Sequence, residues 1–252
     1  MQSSGISSPA NPSRKPTSST SKRSRFSLSG RSARIDPRVA AVRSDLADIR
    51  LAERVFAPHY AAALTRTVAL QSPLRGAASS DAEPVSEILP GEPFDMLEIS
   101  RDWAWGRSPV DGAVGYVELS ALTDDVPADT PEPTSGDFVA TAESLVGVPA
   151  TPGGRSKKGL NCTGLVFLAL QRAGIECPRF CDLQAQALGT EVPANASLQR
   201  GDLIYFDDHA AIMTDDSNLV HVTDTGVERA ALADVEGSER YGAIVARRRI
   251  AK

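Results

Sequence analysis

The stretch Gly159-Leu-Asn-Cys-Thr-Gly-Leu-Val-Phe-Leu-Ala-Leu-Gln-Arg-Ala-Gly174 sets a cysteine directly ahead of the most apolar run in the chain. The run predicts a buried helix over 162–173. Asn161 is a suitable N-cap, and Gly174 is able to end the helix in a left-handed conformation. Cys162 then falls in the first helical turn. Unpaired backbone N–H groups and aligned peptide dipoles at that position favour a thiolate and receive a developing oxyanion. Gly164 leaves room for another stretch of chain to approach. Two readings stand at this point: Cys162 is either a small packed hydrophobe or a thiol poised for chemistry.

The rest of the chain bounds the choice. Its 252 residues allow one or two domains, and a formal charge of −5 gives no reason to expect nucleic-acid binding. No apolar run approaches the roughly 18–20 residues that span a bilayer. Three cysteines in a chain this long do not make a disulfide framework. No apolar signal-type core stands near the start, so the expected compartment is the cytoplasm, with export by an unrecognised route as the other possibility.

Composition divides the chain into five parts. Residues 1–35 carry seven Lys or Arg and no acid, and are expected to be a disordered basic tail. Residues 36–63 place Val39, Val42, Leu46, Ile49 and Val55 near helical spacing, which predicts a helical arm packed on a later domain. Residues 64–124 alternate short β-rich pieces with Gly and Pro turns, the pattern of a small all-β barrel. Its Trp103 and Trp105 are expected to divide between core and surface. Residues 125–136 hold three prolines without apolar periodicity and form a linker. Residues 137–252 read as helices followed by an antiparallel meander, an α+β order.

A catalytic thiol needs a base. Of the three histidines, His59 lies in the arm, while His209 and His221 follow Cys162. A turn near Asp215–Asn218 makes the strands carrying His209 and His221 antiparallel neighbours. On that pairing His209 takes the proton of Cys162, and His221 holds the ring of His209 in the useful tautomer.

Asn161-Cys-Thr-Gly-Leu-Val166, Cys177-Pro-Arg-Phe-Cys-Asp-Leu-Gln184, Leu198-Gln-Arg-Gly-Asp-Leu-Ile-Tyr-Phe206, Asp208-His-Ala-Ala-Ile212 and Leu219-Val-His-Val222 follow one another in an order that resembles the NlpC-type cell-wall peptidases. These are papain-like cysteine peptidases. The region 64–124 resembles a bacterial SH3-like domain, a familiar companion of that catalytic domain. The resemblance implies Cys162 as nucleophile, His209 as base and His221 as orienting residue. It also implies that Asn161, Thr163, Arg179 and Gln184 shape the substrate cleft. The substrate implied is a peptidoglycan-derived stem peptide, cut between D-glutamate and the diamino acid. No cofactor and no metal is implied.

Four positions depart from the family pattern. Ala150 and Pro152 stand where relatives carry Tyr and Trp, and Asn161 and Thr163 where they carry Asp and Ser. An amide does not pair with an ammonium as a carboxylate does, so recognition of the substrate's amine end is altered. Asp207 or Asp208 offers a replacement carboxylate. The alternative function is a catalytically altered relative that binds peptide or transfers its acyl group. Cys177, Cys181, His209 and His221 form a poor zinc set by spacing and leave Cys162 unexplained. Cys177 and Cys181 are expected to be reduced thiols, with a regulatory disulfide as the other possibility.

Overall fold

The computed structural model of the chain describes residues 35–125 and 136–251. The expectations for the basic tail and the proline-rich linker fall outside these residues, apart from their edges.

Residues 36–63 form no α-helix. They contain the short parallel strands β1 (Leu46–Asp48) and β2 (His59–Ala61), with a 3-10 turn at Ile49–Leu51 between them. The reason lies in three Asp/Arg pairs two residues apart. Asp36 accepts from Arg38, Asp45 from Arg43, and Asp48 from Arg50. Residues at that separation point to different sides of a helix, so these pairs favour a turned or extended chain. Asp48 also caps the 3-10 turn through the N–H of Arg50. Ala41 and Leu46 of the arm pack around Trp105, and the Arg43 guanidinium lies 4.3 Å from the centre of its indole ring.

The next seven strands are β3 (Leu64–Val68), β4 (Ser72–Arg75), β5 (Pro84–Ile88), β6 (Pro93–Ser100), β7 (Trp103–Arg107), β8 (Val114–Glu118) and β9 (Leu122–Thr123). They make one sheet in the order β5-β4-β8-β7-β6-β3-β9. Residues from both halves of it, Val68, Leu74, Ile88, Phe94 and Val117, share a single core. The sheet therefore curls on itself while its ladder stays open, with β5 and β9 as edges, so the expected small all-β barrel is present in an open form. The split expected for the tryptophans is corrected as well. Two residues apart on β7, they share a face, and burial follows position along the strand. Trp105 is buried under the arm, and Trp103 at the strand end is half-buried.

The C-terminal part begins with α1 (Phe138–Ser144), the small hairpin β10 (Arg155–Ser156) and β11 (Gly159–Leu160), and α2 (Cys162–Arg172). Then come α3 (Cys181–Ala187), β12 (Thr190–Glu191), β13 (Asp202–Phe206), β14 (Ala210–Met213), β15 (Asn218–Val222), β16 (Val227–Ala231), α4 (Leu232–Glu236) and β17 (Ile244–Arg249). The sheet order is β12-β17-β13-β14-β15-β16, and every pair is antiparallel. Both faces are covered. Leu203, Tyr205, Ile212 and Val220 pack under α1 and α2, while Ile204, Phe206, Met213 and Leu219 pack with Val235 of α4. Burial on both sides is why β13 reads as an unbroken Leu-Ile-Tyr-Phe run rather than an alternating one.

The helix α2 is buried from Thr163 to Leu170. A chain buried all round needs no polar stripe, which matches its composition. Gly174 takes φ 75° just past the helix end, as its sequence position implies. The stretch that approaches Gly164 is the chain's own backbone: a Cβ there would lie 1.9 Å from the carbonyl oxygen of Gly154. The arm, the open barrel and the α+β part belong to one compact unit.

Candidate active site

Cys162 is the first residue of α2. Asn161 is its N-cap, with an extended backbone and Oδ1 accepting from the Gly164 N–H at 2.9 Å. The cap fixes the direction of the first turn and therefore of the thiol. Sγ lies 4.0 Å from the carbonyl oxygen of Asp208. Burial pushes the thiol above its ordinary range. The backbone N–H groups of Ala210 and Thr163 beside it act the other way, as does the charge of Arg179.

His209 ends the β13–β14 turn, and Phe206 donates its N–H to the His209 carbonyl at 2.9 Å. In the β14–β15 ladder Ala211 stands opposite His221. His221 is thus the diagonal neighbour of His209 on the same face, within reach of a ring. His209 Nε2 and His221 Nδ1 are 3.1 Å apart. Tyr241 stacks on His209 with ring centroids 4.3 Å apart and also meets His221 edge-on at 5.5 Å. Burial, His221 and Arg240 together hold the His209 pKa down at about 3. Burial lowers His221 as well, against the opposing pull of Glu228 across the ladder. Both rings are therefore neutral at neutral pH, as a proton acceptor requires.

Cys162 and His209 line one cleft of about 620 Å³, together with Ala150, Pro152, Asn161, Asp207, Asp208, Asp224, Glu239, Arg240 and Tyr241. Asp224 and Arg240 form an ion pair at the rim, so Asp207, Asp208 and Glu239 give the cleft a surplus of acid. His59 is exposed on β2 and takes no part in the cleft.

Three of the four expected cleft residues face elsewhere. Arg179 is 1% exposed, Gln184 is fully buried, and Thr163 is buried. Gln184 donates to the carbonyls of Thr163 and Pro178 and ties α3 to α2. Arg179 donates to Thr163 Oγ1 at 2.5 Å and to Asn161 Oδ1 at 3.0 Å, the two residues on either side of Cys162. These residues hold the floor of the site and do not line it. Asn161 alone lines the cleft, and its Oδ1 is already occupied by Gly164 and Arg179, so its amide nitrogen is the group left to offer. Among residues the sequence reading missed, Tyr241 and Arg240 stand out; neither belongs to a motif, and both lie in the loop before β17. Tyr241 carries no signal beyond being an aromatic close to a predicted strand.

All three cysteines are free thiols. Among the described residues no group of three or more His, Cys, Asp or Glu is placed to hold a metal ion, and no helix is long and apolar enough to cross a membrane.

Two regions of the chain match known families. Residues 147–245 match the NlpC/P60 family, and residues 74–122 match the bacterial dipeptidyl-peptidase Sh3 domain. A probable endopeptidase of Mycobacterium tuberculosis is 32% identical over 149 residues, which are 57% of this chain and 37% of the relative. A gamma-D-glutamyl-L-lysine dipeptidyl-peptidase of Bacillus subtilis is 30% identical over 100 residues, 36% of this chain and 33% of the relative. The matched region thus spans about a third of the length of these relatives. Among solved structures, an NlpC/P60 family protein from Bacillus cereus aligns with a TM-score of 0.42 at 22% identity, covering 75% of this chain and 63% of that one. The peptidoglycan hydrolase RipB of Mycobacterium tuberculosis aligns at 0.38 and 23% identity, covering 49% and 69%. Residues 147–245 are therefore similar to the NlpC/P60 family, and residues 74–122 before them to a bacterial SH3 domain of the dipeptidyl-peptidase type.

Proposed function

We propose that this protein is a cysteine peptidase that hydrolyses cell-wall stem peptides at the bond between γ-D-glutamate and the diamino acid. The observation that carries the reading is the meeting, in one cleft, of a thiol at a helix N-terminus with a neutral histidine held by a second histidine. The family match and the endopeptidase names of the relatives support the reaction class, and the name of the Bacillus subtilis relative supports the bond.

The proposed chemistry uses this chain's own groups. His209 donates Nε2–H to His221 Nδ1, which leaves Nδ1 of His209 unprotonated and free to accept. It takes the proton of Cys162 as Sγ attacks the peptide carbonyl. N–H groups at the start of α2 receive the oxyanion. The imidazolium then protonates the leaving amine, and His221 steadies its charge. Water hydrolyses the thioester with His209 again as base. Asp207, Asp208 and Glu239 are the carboxylates available to a cationic group of the substrate, while the Asn161 amide suits a carbonyl acceptor.

The test is incubation of the protein with L-Ala-γ-D-Glu-diaminopimelate and its N-acetylated form, with products read by mass spectrometry. Release of diaminopimelate is the expected result. Binding without cleavage in both cases would move the assignment to a peptide-binding relative.

A further inference from the structure

Two arginines of the C-terminal part are buried where it meets the SH3 domain, and their counter-charges come from that domain. Arg155 and Arg179 are each 1% exposed. Burying a guanidinium is costly unless it is paired and its N–H groups are satisfied. Arg155 Nη1 donates to Glu92 at 2.9 Å, and its Nε to the Glu87 carbonyl at 2.8 Å. Asp111, also buried, lies 3.2 Å from Arg155 Nε and 3.8 Å from Arg179 Nε. Between Arg179 and Asp111 stands Ser86, which accepts from Arg179 Nε at 2.9 Å and donates to Asp111 at 2.5 Å. Glu87, Glu92, Asp111 and Ser86 all belong to the SH3 side.

The remaining arms of Arg179 reach the nucleophile's helix. Nη1 donates to Thr163 Oγ1, while Nη2 donates to Asn161 Oδ1 and to the Gly153 carbonyl at 2.8 Å. Asn161 and Thr163 flank Cys162 on either side. A planar fork with fixed donor directions is able to hold both at once; the single point of a lysine ammonium is not. The loop at Gly153 fits closely against the SH3 domain, since a Cβ there would lie 2.9 Å from Pro84 Cβ and 3.1 Å from the Ser86 carbonyl.

We infer that Arg179 is a positioning residue for Cys162, held in register by Ser86 and Asp111 of the SH3 domain, so that this domain completes the active-site geometry of its neighbour. The chain of contacts runs Asp111, Ser86, Arg179, then Asn161 and Thr163. It fixes the N-cap and the first-turn N–H groups that surround Sγ. None of its members but Asn161 touches the cleft, so they act on the orientation of the thiol and not on substrate binding.

The inference rests on Cys162 being the nucleophile, and its test separates the two claims. The full chain is compared as wild type, Asp111→Asn, Asp111→Glu, Thr163→Val and Thr163→Ser. Two readouts are taken: steady-state turnover of the stem peptide, and the pH-dependent rate of iodoacetamide alkylation at Cys162, mapped by mass spectrometry. Asp111→Asn and Thr163→Val are expected to lower kcat about tenfold or more with KM within about twofold, as misplacement of a reacting atom does. They are also expected to slow alkylation of Cys162 and displace its pH profile. Asp111→Glu recovers part of the loss, and Thr163→Ser most of it, because the acceptor returns. Where Asp111→Asn fails to fold, the Thr163 pair alone decides. Turnover and alkylation unchanged in the folded Val variant would overturn the inference, even with Cys162→Ala inactive. A wild type that cleaves nothing would count against the peptidase reading, while the alkylation profiles still decide whether Arg179 positions the thiol.

Discussion

His209 Nε2 lies 3.1 Å from His221 Nδ1 across a diagonal of the β14–β15 ladder. The contact occupies the ring nitrogen farther from the backbone, so Nδ1 is the nitrogen that the proposed mechanism uses as proton acceptor. The proposed mechanism gives the two rings unequal roles: one reacts and the other aims it.

That inequality is measurable. His209→Ala should lower kcat/KM by about a thousandfold or more, and His221→Ala by about ten- to a hundredfold, because orientation is a partial contribution. Steady-state kinetics on the stem peptide checks this, and a larger loss in the His221 variant would reverse the two roles.

Stability should depend on pH through the same pair. The unfolded histidine takes up a proton below about 6.5, while His209 in the fold resists protonation down to about 3. Within that window the unfolded state binds more protons, so stability rises with pH. It is fully present above the unfolded value and lost as pH falls toward the folded one. Urea unfolding between about pH 5 and 6.5 should show a slope that His209→Gln reduces, by up to about 1.4 kcal/mol per pH unit for one proton. Equal slopes in the two proteins would contradict the buried neutral ring.

Tyr241 covers one face of His209 at a ring separation of 4.3 Å. Removing it admits water and lifts the pKa of His209 toward its ordinary value. Tyr241→Ala should move the acid limb of kcat/KM upward by about one pH unit, and Tyr241→Phe should leave it in place. An unmoved limb in the Ala variant would show that Tyr241 does not set the burial of His209.

Asn161 keeps its oxygen for Gly164 and Arg179 and has only a donor left for the cleft. Asn161→Asp should raise the preference for a free amino end over an N-acetylated one by about tenfold, as a charged acceptor replaces a donor. The ratio of kcat/KM for the two peptides reports it; an unchanged ratio would place the substrate's amine end elsewhere.

Glu92 is buried against Arg155, which has no route to water. Glu92→Ala should destabilise the protein by about 3 kcal/mol, because the two terminal nitrogens of Arg155 lose their acceptor in the interior while Asp111 remains beside Nε. Glu92→Gln should recover some of this by keeping an acceptor. Thermal unfolding checks both.

The parts of the site that follow from local physics were legible in the sequence. Asn161 before an apolar run announces a helix start, and the spacing of His209 and His221 around a polar turn announces a ladder. What a contact with a distant segment decides was not legible. Arg179 stands at a family position, but its direction is set by Ser86 and Asp111, roughly 70 to 90 residues earlier in the chain. Without those partners it reads as a cleft residue, and with them it is a buried clamp. The arm folds back without a helix because the near-helical spacing of its apolar residues is also met by a folded-back chain. The Asp-x-Arg and Arg-x-Asp pairs at 36–38, 43–45 and 48–50 were the overlooked signal. Tyr241 has no motif, and its role arises only from where the loop before β17 is carried.

The central claim is that the Cys162 thiol performs the cleavage. It is tested most directly by mass spectrometry of L-Ala-γ-D-Glu-diaminopimelate peptides, free and N-acetylated, incubated with the protein and with its Cys162→Ala variant. The account predicts release of diaminopimelate by the unaltered protein alone, with both proteins binding peptide. Equal release by the variant would contradict it.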